Sequence, residues 1–495
     1  MGKPHKPKKT TPSVSAAPTA HAQRQAVPQK PQYTQSYELT PYDTWFFRES
    51  RPHAAVGGHL LKSLFPPPAR ALRGMLGQLQ GQQLAVDWAR FRDFKSKDES
   101  SEGNDYGNQS EGELNIHRAV HEAHGRLRLR DLSLALGSTR LYPMPSALLA
   151  AVPPSANALP AWSRLSPSQH ALITDIGYVR IPQAVGDVSK GSHQSDWLVN
   201  TELLEQFLAN QTITAPCLPP DKPDNAPWAI PQSELVTEEA RLGIAVQASN
   251  RLVRDGALFQ TLHLRPVLEQ PWRYVFKASV NNFDSSPHKP LPMPGAAITT
   301  IGGEGRPAVL AVTPKLPRQP VMLNIQKHNG LHHLLIYFAT AADFSHFERF
   351  GARQTPAPDS MAMAGAATAD GNEADNWNRS GQELRGLPRT WSDTPAPAAA
   401  MQATQPTART WRINLCDQQL ELVCVASPRP QREGGWALSQ GRPEPMRSLV
   451  AAGTCWFCTT PSAQAAQALH GKLCGEDTAL GRGQIFVGTW SPRGS

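Results

Sequence analysis

Arginines set beside aromatic rings and flexible backbone are the combination that grips single-stranded nucleic acid, and this sequence holds them in two stretches near its start. In Asp43-Thr-Trp-Phe-Phe-Arg48-Glu-Ser-Arg51-Pro52, followed by Gly57-Gly58, two guanidiniums stand close behind three aromatic residues. A guanidinium fork matches phosphate oxygens bidentately, and an aromatic face stacks on a base. A core edge flanked by surface arginines is the competing reading. Ser63-Leu-Phe65-Pro-Pro-Pro68 then leads into a segment carrying Arg70 and Arg73. Prolines suit the entry to a helix, whose first N–H groups are open to a phosphate.

Two glycine clusters offer a second kind of anion contact. Gly302-Gly303-Glu304-Gly305-Arg306 and Gly481-Arg482-Gly483 allow positive φ and close backbone approach, so successive N–H groups can form a nest for phosphate. A tight turn is the commoner reading of either cluster alone. Neither is a P-loop, because no Gly-Lys-Ser/Thr follows.

Catalytic and metal constellations are scarce. Cys455-Trp-Phe-Cys458 has CxxC spacing but lacks a second Cys/His pair, and on a strand its thiols point to opposite faces. His117, His121 and His124 share one helical face with no carboxylate partner at motif spacing, so a surface face is expected. No Gly-x-Ser-x-Gly or HExxH occurs, and no metal or cofactor is expected. The six cysteines are sparse for the length and read as reduced thiols.

These residues must be held by a mixed fold. The 495 residues carry 49 Lys+Arg against 41 Asp+Glu, a net charge of +8, which favours a polyanion partner over a small-molecule substrate. Residues 1–36 begin with a Lys/Pro/Ala-rich stretch of no apolar periodicity and read as a disordered basic tail. Leu72, Met75, Leu76 and Leu79 recur at helical spacing. Arg126–Arg130 alternates like a strand, and the apolar phase then slips at Asp131 as a bulge requires. Residues 238–266 read as a hairpin whose second arm sets Phe259, Thr261, His263 and Arg265 on one face. The first strand is expected over Tyr37–Phe47, and later ones over Ala308–Val312, Met322–Gln326, His333–Phe338, Glu421–Val425 and Cys455–Thr459. Three long insertions interrupt them: an acidic loop at 96–113, a Pro-rich stretch at 151–233, and low-complexity residues 351–408. The fold class is α+β. No apolar run reaches membrane-spanning length and no secretory signal is readable, so a cytoplasmic location is expected.

The order of the motifs is more specific than any one of them. Asp43-x-x-Phe-Phe-Arg48-x-x-Arg-Pro52 is followed by Leu64-Phe-Pro-Pro-Pro, Glu239-Ala-Arg241-Leu-Gly243-Ile244, Asp255-Gly-Ala-Leu-Phe259 and Gly302-Gly-Glu-Gly-Arg306. Gly434-Gly-Trp436, Ala452-Gly453 and the last glycine loop close the series. This resembles the RAMP superfamily of CRISPR proteins, most closely the subunit of type III-B (Cmr) effector complexes that holds the 5′ handle of the guide RNA. His53 and Gly74-Met-Leu-Gly77 depart from the family pattern.

The resemblance implies two ferredoxin-like βαββαβ modules, residues 37–315 and 316–495, in an antiviral ribonucleoprotein. It implies a non-catalytic RNA-binding subunit that contacts the large palm-domain subunit and the backbone RAMP subunit. Arg48, Arg51, Arg70, Arg73, Arg241, Arg306 and Arg482 would contact RNA, and Phe65 would stack or be buried. Gly302, Gly303, Gly481 and Gly483 would supply backbone N–H contacts. A precursor-processing endoribonuclease using His117, His121 or His124, and a purely structural subunit, are the alternatives.

Overall fold

The computed structural model describes residues 33–492 except 49–59, 85–125, 152–160, 175–176, 186–192, 214–227, 247–252, 268–270, 281–291, 326, 345–407 and 438–441. In chain order its first half holds β1 (Tyr33–Pro41), β2 (Leu60–Leu61), α1 (Ala69–Gln83), β3 (Leu127–Leu136), β4 (Thr139–Pro143), β5 (Leu148–Ala151), β6 (Ala161–Pro167), β7 (Leu172–Thr174), β8 (Gly177–Val179), β9 (Pro182–Ala184), β10 (Trp197–Asn200), α2 (Thr201–Leu208) and β11 (Ala229–Pro231). Next come β12 (Val236–Val246), β13 (Val253–Pro266), β14 (Arg273–Val280), β15 (Ala297–Ile301) and β16 (Arg306–Val312). The remainder holds β17 (Lys327–His328), β18 (Leu331–Phe338), β19 (Trp411–Leu415), β20 (Gln418–Ala426), β21 (Gln431–Ala437), β22 (Arg442–Leu449), β23 (Cys455–Thr460), α3 (Ala465–Leu469) and β24 (Ile485–Thr489). Sheet dominates and helices are few, so the α+β class is strongly weighted to β.

Two antiparallel sheets organise the chain. The larger runs β11-β10-β4-β3-β14-β1-β16-β15. The second runs β18-β23-β20-β19, with β17 and β24 sharing the outer edge of β18. Hairpin β12–β13 stands apart from both and adds β2 alongside β13.

Local sequence explains most of these elements. Helix α1 buries Leu72, Met75, Leu76 and Leu79, the residues of the expected stripe, against the larger sheet. The phase slip in β3 is a real bulge: Val275 pairs with Ser133 but Lys277 with Arg130, and Asp131 has φ 58°. Lys277 then reaches the Asp131 carboxylate at 2.9 Å.

Several expectations are corrected. Strand β1 starts at Tyr33, inside the stretch read as tail, and ends at Pro41, which has no N–H to extend the ladder. Residues 42–48 continue as a strap outside any ladder, with isolated bridges from Trp45 to Leu264 and from Arg48 to Ser63. Met322–Ile325 forms no strand. The Val321 N–H just before it is taken by the Glu205 carboxylate at 2.9 Å rather than by a ladder. Cys416 and Cys474 are disulfide-bonded, with Cα atoms 6.0 Å apart, not reduced. The turn Cys416–Asp417, with both residues at positive φ, folds hairpin β19–β20 onto the segment after α3. Most of residues 1–36, all of loop 96–113, residues 351–407, and His117, His121 and His124 lie outside the described residues.

Among the described residues, three large apolar clusters make up most of the core. One lies between α1 and the larger sheet. Another lies within the second half, around Ile336, Trp456 and Val487. The third joins the halves, packing Tyr142, Leu203 and Phe207 against Leu335, Phe457, Phe486 and Trp490. Strand β23 serves both of the last two: Cys455 faces the shared cluster and Cys458 the other, so the CxxC thiols are separated by the sheet. Burial pushes the Cys455 thiol up to about 12. That thiol is therefore protonated at neutral pH.

Candidate nucleic-acid interface

The strap 42–48 fixes the first site. Trp45 exchanges both backbone hydrogen bonds with Leu264, at 2.9 and 2.8 Å, and its indole N–H donates to the Pro307 carbonyl at 3.4 Å. The Phe47 N–H donates to Ser63 Oγ at 2.8 Å, and Leu64 N–H to the Phe47 carbonyl at 2.8 Å. Trp45 and Phe47 are thereby sunk in the core with Trp272. Phe46 is buried in the opposite direction, stacked on His263 at 5.0 Å.

The turn Gly302–Arg306 closes over this strap. Gly303 N–H donates to the Phe46 carbonyl at 2.7 Å. Gly302 has φ 72°, and a Cβ there would meet the same carbonyl oxygen at 2.5 Å. Glycine is needed here for approach of two backbones of the same protein, and the Gly303 N–H expected to face a phosphate already has an acceptor.

Around this joint the structure gathers charge. Asp43 faces three guanidiniums: Arg265 at 3.6 Å, and Arg241 and Arg306 at 3.9 Å each. Glu239 binds both Arg241, at 2.8 Å, and Arg265, while Glu304 binds Arg306. The hydrogen bonds from Arg265 and then Arg241 hold the Glu239 carboxyl below the usual range. His263 is fully buried beneath, with Nδ1 at 3.3 Å from Thr44 Oγ1 and Nε2 at 3.5 Å from Glu304. Burial pushes its pKa down, against the pull of Glu304 and with the push of Arg306 and Arg241. Three guanidiniums are thus held in one exposed patch by carboxylates that water also reaches.

The last glycine loop sits in a different environment. Arg482 is 4% exposed and donates to Glu433 at 2.5 Å and to Asp477 at 3.0 Å, with Asp343 3.8 Å away. Arg447 binds Asp343 and Asp477 at 2.9 and 2.8 Å, and Arg70 Nε lies 3.9 Å from Glu433. Gly481 N–H donates to the Thr478 carbonyl and Gly483 N–H to Ala341, both at 2.9 Å. The expected phosphate nest is filled by the protein's own carbonyls, and Arg482 is locked among carboxylates. This loop ties α1, hairpin β21–β22 and the second sheet together.

Comparison with known proteins bears on the whole chain. The family model for CRISPR-associated protein (Cas_Cmr3) matches residues 37–490. The chain belongs to the Cas_Cmr3 family. It is a subunit of the Cmr type of CRISPR effector. Solved structures similar to it include chains of the type III-B Cmr-beta bound to cognate target RNA, with and without AMPPnP. Each of these is 12% identical, with 86% of both chains covered and a TM-score of 0.35. A chain of the Cmr-beta apo state is 8% identical, covering 57% of this chain and 98% of that one, with a TM-score of 0.22. No curated protein matches.

In this Cas_Cmr3 chain the residues singled out from sequence fall into two groups. Gly302, Gly303, Arg306 and Arg241 meet at the Asp43 patch, and exposed Arg48 ends the strap that feeds it. Arg70 joins Gly481, Arg482 and Gly483 in the buried cluster, with half-buried Arg73 one helical turn from Arg70. Phe65 is partly buried, edge-on to Trp272 at 5.3 Å. Arg51 lies outside the described residues. Arg265, Asp43 and Glu239 complete the patch, and sequence alone gives none of them an RNA role. Arg265 is visible there as a member of the His263 face and at the end of the Asp255–Phe259 motif, without a role. The hub role of Asp43 appears only when three distant segments meet.

Proposed function

We propose that this subunit binds the 5′ handle of the guide RNA in a type III-B effector, without catalysing a reaction, and joins the large palm-domain subunit to the RAMP backbone. The observation that carries the reading is the Asp43 patch. Arg241, Arg265 and Arg306 are gathered at one surface, each held by a carboxylate that an RNA phosphate can replace. The buried Phe46 and Gly302 joint beneath keeps the patch in place before RNA arrives. An assembled complex of this kind works in the prokaryotic cytoplasm.

The strand orders support a pair of ferredoxin-like modules. In the first half β16-β1-β14-β3 places the first strand between the fourth and the third, with the second outside. In the second half β24 and β20 take the outer places of the same order, β24-β18-β23-β20. All neighbours in both are antiparallel, as βαββαβ winding requires.

Photo-crosslinking of guide RNA in the assembled complex tests the reading. Crosslinks from hairpin β12–β13 and the 302–306 turn should fall within the first eight or so guide nucleotides. Crosslinks confined to the rest of the guide, or none to this chain, would overturn it.

A further inference from the structure

The Cys416–Cys474 disulfide sits at the neck of the loop that carries Arg482. Leu473 bridges Gln484, the Ile485 N–H donates to the Lys472 carbonyl at 2.9 Å, and the Cys474 N–H donates to the Gly483 carbonyl at 2.9 Å. Residues 475–482 therefore leave the second half and return to it at one point. Beyond the neck the loop reaches the first half. Gly481 packs on β3, where a Cβ would lie 3.2 Å from the Leu129 carbonyl oxygen, and Gln484 Nε2 lies 3.5 Å from Asp131 Oδ1. The same loop supplies Asp477 and Arg482 to the buried charge cluster.

On the other side of the bond is the tight turn of hairpin β19–β20, where Cys416 and Asp417 have φ 47° and 65°. Strand β19 ends the second sheet, so the bond staples the edge of that sheet to the loop neck, across a sequence separation of 58. A cross-link over such a length strongly restricts the open chain. The two cysteines differ in access. Cys474 is 2% exposed and packs in the core of the second half, whereas Cys416 is partly exposed on its turn. Exchange needs a thiolate to reach a sulfur, and Cys416 is the residue that it can reach. The open form is provided for as well. Cys416 Sγ lies 3.6 Å from the Leu473 carbonyl, an acceptor for its S–H once the bond is gone. Accessible disulfides exchange with small thiols, whereas sealed structural ones resist them.

We propose that Cys416–Cys474 is a reversible redox switch, opened by small thiols and closed by small disulfides, that sets how firmly the second half grips the first. In opening, a glutathione thiolate attacks the Cys416 sulfur, the S–S bond breaks, and Cys474 leaves as a thiolate that takes up a proton. A second glutathione thiolate attacks the glutathione sulfur of the mixed disulfide. Cys416 leaves as a thiolate and is protonated in turn, and glutathione disulfide is released. Two electrons pass from two glutathione thiols to the protein, and glutathione disulfide reverses both steps. With the bond closed the loop neck is tethered to the sheet edge. With it open, the neck is held by backbone pairing and packing alone, and the loop opens more often. The switch shares no residue with the Asp43 patch and does not depend on the handle-binding reading.

Glutathione redox buffers applied to the full chain test this. Acid quenching, alkylation and peptide mapping should find the pair bonded in glutathione disulfide and opened by excess reduced glutathione without denaturant. Amide hydrogen exchange over residues 471–485 should speed up at least about tenfold on opening, the least that loss of such a cross-link is worth. Hairpin β12–β13 should exchange at the same rate in both buffers. Cys416→Ser should show the faster exchange whatever the buffer, and the wild-type series decides the matter even if that variant fails to fold. A bond that persists in reduced glutathione until the chain is denatured is structural and overturns the proposal. So does a pair that stays reduced in glutathione disulfide, or one that opens with exchange over 471–485 unchanged.

Discussion

The cluster around Asp43 and the cluster around Arg482 contain the same groups, three guanidiniums and three carboxylates each, and differ in how far water reaches them. Around Asp43 the side chains of Asp43, Arg265 and Glu304 are 39–49% exposed. Around Arg482 the carboxylates of Asp343 and Glu433 and the guanidinium itself are 0–8% exposed, while Asp477 and Arg447 at the edge of the cluster are 37% and 29% exposed. Exposed pairs are screened and contribute little, so their partners exchange at low cost. Buried pairs have given up hydration and cannot release one member without stranding the other. One arrangement of charge is therefore suited to meeting a polyanion, and the other to fixing helix, hairpin and sheet in place.

The sharpest way to break this contrast is Arg482→Met. Removing one member of the buried cluster takes from Glu433 its nearest cation, at a cost of about 3–5 kcal/mol. Chemical denaturation should show that loss, with a lowered midpoint and unchanged slope. A shift no larger than that of a surface arginine would mean that water reaches the loop. Next in size are the glycines. Gly483→Ala would place a Cβ 1.8 Å from the Cys474 carbonyl at φ 70°, and Gly302→Ala one 2.5 Å from the Phe46 carbonyl at φ 72°. Strain of this kind costs about 1–3 kcal/mol, and the buried site should suffer more. Comparable losses at the two sites would remove the distinction between them.

On the exposed side the effect should appear in binding and not in folding. Arg241→Gln with Arg265→Gln should leave the unfolding midpoint where it is and weaken handle RNA about tenfold. The salt slope should fall by roughly 0.7 for each phosphate that is no longer neutralised. Unchanged affinity and salt slope would remove the patch from the interface.

The contrast between the two clusters is what the sequence conceals. Gly302-Gly-Glu-Gly-Arg306 and Gly481-Arg-Gly483 read alike, because both are glycine with an arginine beside it. Their environments are set by Phe46 in one case and by Ala341 and Leu132 in the other, all more than a hundred residues away in sequence. Local patterns are legible where neighbours decide the outcome. The α1 stripe, the Asp131 bulge and hairpin β12–β13 all follow from periodicity. Strand ends and the Cys416–Cys474 bond depend on which segments meet, and periodicity carries no record of that.

His263 allows the smallest and most local test, because it lies under the exposed patch yet is itself fully buried. The groups facing it are Thr44 at Nδ1, Glu304 at Nε2, the Phe46 ring, and Arg306 and Arg241 beyond. Burial lowers its folded pKa below the unfolded value of about 6.5. Between those two values the unfolded chain binds more protons, so acid favours unfolding. The contribution is complete above about 6.5 and is lost as pH falls toward the folded value. His193 and His333 are shifted the same way by burial and add to the trend. The urea midpoint should therefore fall on acidification below about 6.5, and His263→Gln should flatten part of that fall. If the variant keeps the full wild-type pH dependence, His263 is not titrating out of a buried site. The joint between Phe46 and the glycine turn would then be open to water, and the patch above it would lose its fixed base.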